Sequence, residues 1–404
     1  MDFCFHVWAE AVCILRLQSK EKRRFRLNTC KKRSMKFRCD KSELADGLGS
    51  LLGIIPTTQT SKPIFLDFHL RTSNNTLLVE ATDLDMGARI RLDRVDILEE
   101  GQLALHAVRL HSLIREIPDK SLTIESFPSQ RGATVKAAGF EFKLLGEDPM
   151  EFPSIPESSG DTLILASRER FSQMLRRVAI AASRDMARFQ LTGVFFELDG
   201  EKLTMTATDG KRLTNDCMTV NNPSGHVSSA IVPNRVVDVL LKILSQGTEE
   251  FSFVLGDSGF QANFGRGEVL AKVIQGTYPD YRPAIADVVK VRVTAKRTDF
   301  LAAARSAALM TDKNTATVLF RFEEGRAVLM TQDSQIGESR IEIPVRIEGN
   351  PIEVRYNPTY FIDALRCLTE DEICLEFADP ERPGALRGEQ NYRHLVMPLV
   401  TARS

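Results

Sequence analysis

Carboxylates are the first residues whose placement invites chemistry. Asp83 and Asp85 close the run LLVEATDLD, Asp209 closes LTMTATDGK, and Asp333 lies in AVLMTQDSQ. Aspartates in such turns could hold divalent ions for phosphodiester cleavage, or could simply form the turns. Asp83, Asp209 and Asp333 stand at equivalent places about 125 residues apart, which favours the turn role. The six histidines are dispersed, and His69, His106, His111 and His394 read as structural or surface residues. No GxxxxGK[ST] phosphate loop, HExxH metal helix or GxSxG elbow occurs. No catalytic residue, metal or cofactor is therefore expected. Seven scattered cysteines without a CxxC pair fit free thiols in a reducing cytoplasm.

Cations give a second pattern. The helix expected over 167–183 sets Phe171, Leu175, Val178 and Ala182 on one face and leaves Arg168, Arg176 and Arg177 elsewhere, with Glu169 the sole acid. Other expected helices carry Arg109 and Arg115, Arg235 and Lys242, Lys296, Arg297 and Arg305, and Arg366. The acids gather in hairpins and turns: Asp83, Asp85, Glu249, Glu250, Glu323, Glu324 and Glu370–Glu372. A net charge of −1 thus hides a segregation that would suit nucleic acid if the helices shared one side. Ordinary solvated helix faces would look the same, and both readings stand at this point.

The elements that must position these residues recur three times. Each unit opens with an amphipathic helix (41–52, 167–183, 296–310), continues through a hairpin with its acidic turn, and adds a second helix (106–117, 233–244, 358–368). Strands and a proline signature close it: EFPSI at 151, TYPDYRPAI at 277, VMPL at 396. Period-two alternation at 193–198 and 340–345 marks half-buried strands. The chain is expected to be α+β: three tandem similar domains at 35–158, 159–287 and 288–404, each with two helices packed on antiparallel sheets. Linkers fall at 156–161 and 283–290. Its 404 residues exceed one ordinary core, and the longest apolar runs are too short to span a membrane. Residues 1–34 carry nine Lys and Arg against three acids. They read as a basic extension, disordered or not native, ahead of a start at Met35, or as a tail touching DNA.

With MKF at 35, TATDGKRL at 206, IVP at 231, TYPDYR at 277, YNPTYFIDAL at 356 and VMPL at 396, the chain from Met35 onward resembles the beta subunit of bacterial DNA polymerase III, the sliding clamp. The resemblance implies a processivity factor: a head-to-tail homodimer forming a six-domain ring around duplex DNA without sequence preference. Its dimer contact would use Phe142 and Leu144 at one end, Leu309 and Met310 at the other. It also implies one peptide-binding pocket per subunit, for the DNA polymerase III alpha subunit, the clamp loader and other proteins carrying a clamp-binding motif. That pocket would comprise Leu191, Thr208, Gly210, Arg212, Leu213, Pro279, Asn357, Tyr360, Val396, Met397, Pro398 and Leu399. DNA contacts would fall on Arg184, Arg188, Phe189, Gln190 and Lys62, beside Arg176 and Arg177 of the basic helix. Two departures stand out: Pro283 and Ala284, where many relatives have a basic residue and valine, and the tail Val400–Ser404. The rival readings are a metal-dependent nuclease built on Asp83, Asp85 and Asp209, and a monomeric peptide-binding scaffold.

Overall fold

A computed structural model describes residues 34–57, 60, 62–155, 163–245, 251–285, 288–312, 316–333 and 336–399; of Asp333 it describes the main chain alone. The basic extension before Ser34, the 156–161 linker, Glu249, Glu250 and the tail after Leu399 lie outside the described residues. The chain divides into two compact units. One contains the chain up to Leu48, Thr60–Val79 and Arg91–Phe152; the other contains Gly49–Gln59, Glu80–Ile90 and everything from Pro153.

The first third of the chain supplies β1 (Lys36–Asp40), α1 (Lys41–Leu51), β2 (Asp67–Ser73), β3 (Thr76–Thr82), β4 (Met86–Leu92), β5 (Val95–Glu99) and β6 (Gln102–His106). It continues with α2 (Ala107–Glu116), β7 (Ser121–Ser126), β8 (Gly132–Ala137) and β9 (Phe140–Leu145). In the smaller unit a five-stranded sheet runs β5-β1-β7-β8-β9, so β9 is an edge. β2 pairs antiparallel with β6.

Asp67, at the start of β2, is 4% exposed. Burial pushes its carboxyl up to about 6; the Glu147 N–H that it accepts pulls the other way, and the Glu147 charge adds to the rise. A carboxyl whose folded pKa exceeds its unfolded value loses stability as pH climbs through that window, because the folded state gives up its extra proton. About two units correspond to an upper limit near 3 kcal/mol. Asp67→Asn should therefore raise stability at pH 7 by about 1–3 kcal/mol, and the gain should vanish below pH 4 in denaturant melts. An unchanged midpoint at pH 7 would contradict this.

The larger unit continues with β10 (Ile164–Ala166), α3 (Arg168–Ala179), β11 (Gly193–Asp199), β12 (Lys202–Thr208), β13 (Arg212–Thr219), β14 (Ser228–Pro233), α4 (Asn234–Leu244), β15 (Phe251–Leu255), β16 (Gly259–Phe264) and β17 (Gly267–Lys272). Then come β18 (Val291–Lys296), α5 (Arg297–Ala308), β19 (Val318–Glu323), β20 (Arg326–Asp333), β21 (Gly337–Glu348), β22 (Ile352–Tyr356), α6 (Pro358–Cys367), β23 (Glu372–Phe377), β24 (Gly384–Arg387) and β25 (Arg393–Val396). Twelve strands form one antiparallel sheet, β14-β11-β12-β13-β25-β24-β23-β18-β21-β20-β19-β22. The order of elements repeats as the sequence reading expects, although α3 ends at Ala179 rather than running to 183.

Local chemistry explains the repeats. Alternation works as expected in β11, which buries Val194, Phe196 and Leu198 while leaving Phe195 and Glu197 half-exposed. Ser167 Oγ accepts the Arg170 N–H ahead of α3, and Asn357 Oδ1 accepts the Thr359 N–H ahead of α6, where Pro358 occupies the first turn. Asp83 and Asp209 are turn formers, while the Asp333 side chain lies outside the described residues. Asp83 Oδ1 accepts the N–H groups of Asp85 (3.0 Å) and Met86 (2.8 Å); Asp209 Oδ1 accepts those of Lys211 (2.9 Å) and Arg212 (3.0 Å). The next residue has positive φ in both, +77° at Leu84 and +86° at Gly210. Glycine meets that conformation without steric penalty, and leucine does not.

A threefold feature absent from the sequence reading is a cation at the head of each first helix that caps the second. Lys41 Nζ donates to the carbonyls of Arg115 (2.9 Å) and Ile117. Arg168 donates to those of Ile243 (2.7 Å) and Leu244 (3.2 Å), and Arg297 to that of Glu370 (2.8 Å). These carbonyls end or follow helices, where unsatisfied acceptors and the macrodipole favour positive charge. Arg168 and Arg297 are thus structural caps, a correction to their reading as surface charge. Arg168→Met should lower stability by about 1.5–3 kcal/mol, the range for hydrogen bonds to a charged group. A thermal midpoint unchanged by the substitution would show that water caps α4 equally well.

Candidate functional site: an apolar pocket and its cationic surroundings

Strand pairing assembles the pocket. Arg212 lies opposite Val396 and Leu213 opposite Leu395, so β13 and β25 lie side by side. The stretch after β25 is held by Met397 N–H to the Lys211 carbonyl (2.9 Å) and Leu399 N–H to that of Arg355 (2.8 Å). Leu191, Leu213, Ile231, Ile274, Tyr278, Tyr281 and Leu395 make one buried apolar cluster. Phe195 stacks on Tyr278 with centroids 4.8 Å apart. Pro279 and Met397 are exposed, while Thr208, Asn357, Tyr360, Pro398 and Leu399 are half-buried.

Arg212 is locked in place. Its Nε–H donates to Asp209 (3.1 Å), its Nη1 to Asp363 (2.8 Å), and its guanidinium lies over the Tyr360 ring, 4.8 Å from the centroid. Two carboxylates neutralise this cation, so its role is to shape the wall. Beneath it His394 is fully buried, with Nδ1 sharing a 2.7 Å hydrogen bond with Thr214 Oγ1. Burial, aided by the Arg212 charge, holds the ring's pKa down to about 3, so it stays neutral under physiological conditions.

Strand alternation corrects one residue of the expected pocket. Val396 is fully buried in the core of the third module, with Phe361, Leu365 and Leu375, while Leu395 joins Leu191 and Leu213. A one-residue error in register moves a side chain to the opposite face of a strand. Leu395, Tyr278 and Ile274 were not among the expected residues; Leu395 immediately precedes VMPL, Tyr278 lies within TYPDYR and Ile274 three residues ahead of it, so nearness to those signatures was their only signal.

The loop expected to touch DNA folds as a short 3-10 segment, Met186–Leu191. Arg184, Arg188, Gln190 and the half-exposed Phe189 all reach solvent. Arg188 Nη1 lies so near Gly210 that a β-carbon there would come within 2.6 Å, and Gln190 similarly leans on Gly276 at 3.1 Å. These two side chains therefore stand at the pocket rim. At its other edge Pro283 and Ala284 are exposed.

The helix cations divide. Arg109, Arg115, Arg176, Lys242, Lys296, Arg305 and Arg366 are exposed. Arg177 is not: it is 1% exposed and paired with Glu370, which removes it from any DNA-facing set and removes Glu370 from the surface acids. Arg235 turns back to Asp83 and to the Ile54 carbonyl. Lys62 is exposed in the smaller unit, in a cleft shared with Glu147 and Glu151 that weakens its local field. Phe142 is exposed and Leu144 half-exposed on β9; Leu309 is 80% exposed just beyond α5, and Met310 is half-exposed. Among the described residues no group of three or more His, Cys, Asp or Glu could hold a metal ion, and no helix is long and apolar enough to cross a membrane.

Repeated modules of paired helices on antiparallel sheet, joined strand to strand around an apolar pocket, define the clamp class of fold. The modules match, in order, the N-terminal (35–156), central (166–280) and C-terminal (287–400) domains of the DNA polymerase III beta subunit. The chain belongs to that family and is a DNA sliding clamp, a processivity factor. The beta sliding clamp of Chlamydia muridarum is 24% identical over 365 residues, covering 90% of this chain and 99% of the relative. That of Pseudomonas putida is 23% identical over 367 residues, covering 90% and 100%. Among solved structures, the Thermotoga maritima beta subunit superposes with a TM-score of 0.84 at 22% identity, and the Bacillus subtilis clamp with 0.83 at 22%; each match covers 91% of this chain and all of the other. The Pseudomonas aeruginosa clamp bound to griselimycin gives 0.83 at 21% identity, again covering 91% and 100%.

Proposed function

We propose that two copies close head to tail into a ring of six domains that encircles duplex DNA, with the helices lining the hole. The carrying observation is a pair of free strand edges. Within the chain, β4 pairs with β17 (Ile90 opposite Gly267) and β13 with β25 (Arg212 opposite Val396). In each case the strand after an aspartate turn meets the third strand of a following meander. The remaining members of the set are residues 337–340 of β21, the strand that follows Asp333 in the sequence, and β9. Among the described residues, Gly337–Pro344 of β21 pairs only with β20, and β9 only with β8. Phe140, Phe142 and Leu145 are exposed on β9, and its edge suits pairing with another chain. A heterologous contact of this kind closes when the rotation permits.

The exposed helix cations would then face phosphates through water, attracting DNA without reading sequence and leaving it able to slide. Arg176, Arg184, Arg188, Phe189, Gln190 and Lys62 are the proposed contacts. The pocket takes a short extended peptide through apolar anchors, as polymerase alpha subunits, clamp loaders and repair factors would present. Its wall is Leu191, Thr208, Gly210, Arg212, Leu213, Pro279, Asn357, Tyr360, Met397, Pro398 and Leu399, now with Leu395. The protein acts by tethering rather than by catalysis, in the cytoplasm; its described cysteines are all thiols, in keeping with a reducing compartment. Sedimentation equilibrium should give twice the chain mass of 45.2 kDa; a single copy at micromolar concentration would contradict the ring.

A further inference from the structure

Behind the pocket lies a polar cluster that neither peptide nor DNA binding uses. Arg177, on α3, donates from Nη2 to Glu370 Oε1 at 3.1 Å, and its guanidinium lies 5.4 Å from the centroid of the fully buried Tyr392 ring. Glu370 also accepts the N–H groups of Thr369 (2.8 Å) and Glu389 (3.0 Å). Burial works against its charge, but these N–H groups and the Arg177 cation outweigh it and keep the carboxyl below its ordinary pKa. Replacing a buried ion pair by apolar residues of similar volume is often neutral or stabilising, so stability alone explains such a pair poorly.

Its place in the chain suggests another role. α3, which carries Arg177, leads into Ser183–Leu191, the segment that brings Arg188, Gln190 and Leu191 to one side of the pocket. Tyr392 immediately precedes β25, whose Leu395, followed by Met397–Leu399, forms the other side. The pair thus joins the roots of two walls that also meet through the four register pairs of β13 and β25, the Arg212–Asp363 ion pair and the Met397–Lys211 hydrogen bond.

We propose that Arg177, acting with Glu370 and Tyr392, is a positioning residue for the peptide pocket, setting the gap between its walls from behind. This rests on the pocket reading above. Both arms use the full chain and a fluorescein-labelled synthetic decapeptide ending in Leu-Phe, read by anisotropy well below the thermal midpoint. The native chain should bind. Arg177→Met and Glu370→Gln should each weaken binding at least fivefold, and Arg177→Lys should recover part of the loss. Phe68→Leu, which loosens the core of the smaller unit, should stay within twofold despite a comparable fall in thermal midpoint. If Arg177→Met does not fold, Glu370→Gln carries the test, since it keeps shape and removes only charge. Junction variants within twofold of native, or a core variant that weakens binding as much, would overturn the proposal. Failure of the native chain to bind would overturn the pocket reading and this proposal with it.

Discussion

A chain carrying Phe142→Asp and Leu309→Asp is expected to sediment as one copy of 45.2 kDa at concentrations where the native chain should have twice that mass. Both side chains are solvent-exposed in the single chain, Phe142 at 37% and Leu309 at 80%, so their replacement leaves each fold intact. In the proposed ring the two would be buried at the seam between β9 and the end of α5. Burying a carboxylate without a partner costs several kcal/mol. Two such charges should weaken association at least about a thousandfold, near 4 kcal/mol. A double variant that keeps the native mass would place the subunit contact elsewhere.

The second large effect concerns the pocket. Met397→Asp should lower the affinity for an apolar-anchored peptide by about thirtyfold, near 2 kcal/mol. Met397 is 45% exposed and its main chain is fixed through Lys211, so the substitution changes the wall without disturbing the core. A flexible thioether adapts to varied anchors, whereas a carboxylate would have to be desolvated against them. Anisotropy titrations check this, and an affinity within twofold of native would show that the peptide lies away from the chain end.

Much of the fold was legible because one pattern occurs three times. Helix starts at Ser167 and Asn357 carry capping side chains, and the turns at Asp83 and Asp209 repeat one hydrogen-bond scheme, so each repeat supported the others. The charged residues were less legible. Helical periodicity puts Arg176 and Arg177 both off the apolar stripe, yet one reaches solvent and the other is buried against Glu370, 193 positions away in the chain. Arg168, Arg235 and Arg297 fold their long stems back onto carbonyls. Such partners are fixed by tertiary packing, which a local pattern does not encode. Val396 and Leu395 exchanged roles for a smaller reason: motif matching places a strand, and only its pairing register decides which face each residue takes.

Encirclement is the central claim, and topology tests it most directly. The protein is loaded onto nicked circular DNA and onto the same DNA linearised, and retention is followed as salt is raised past the point where direct binding fails. Phosphate attraction falls steeply with salt, whereas a closed ring is held by enclosure. Retention on the circle with rapid loss from the linear form is the expected result. Equal loss from both would contradict it.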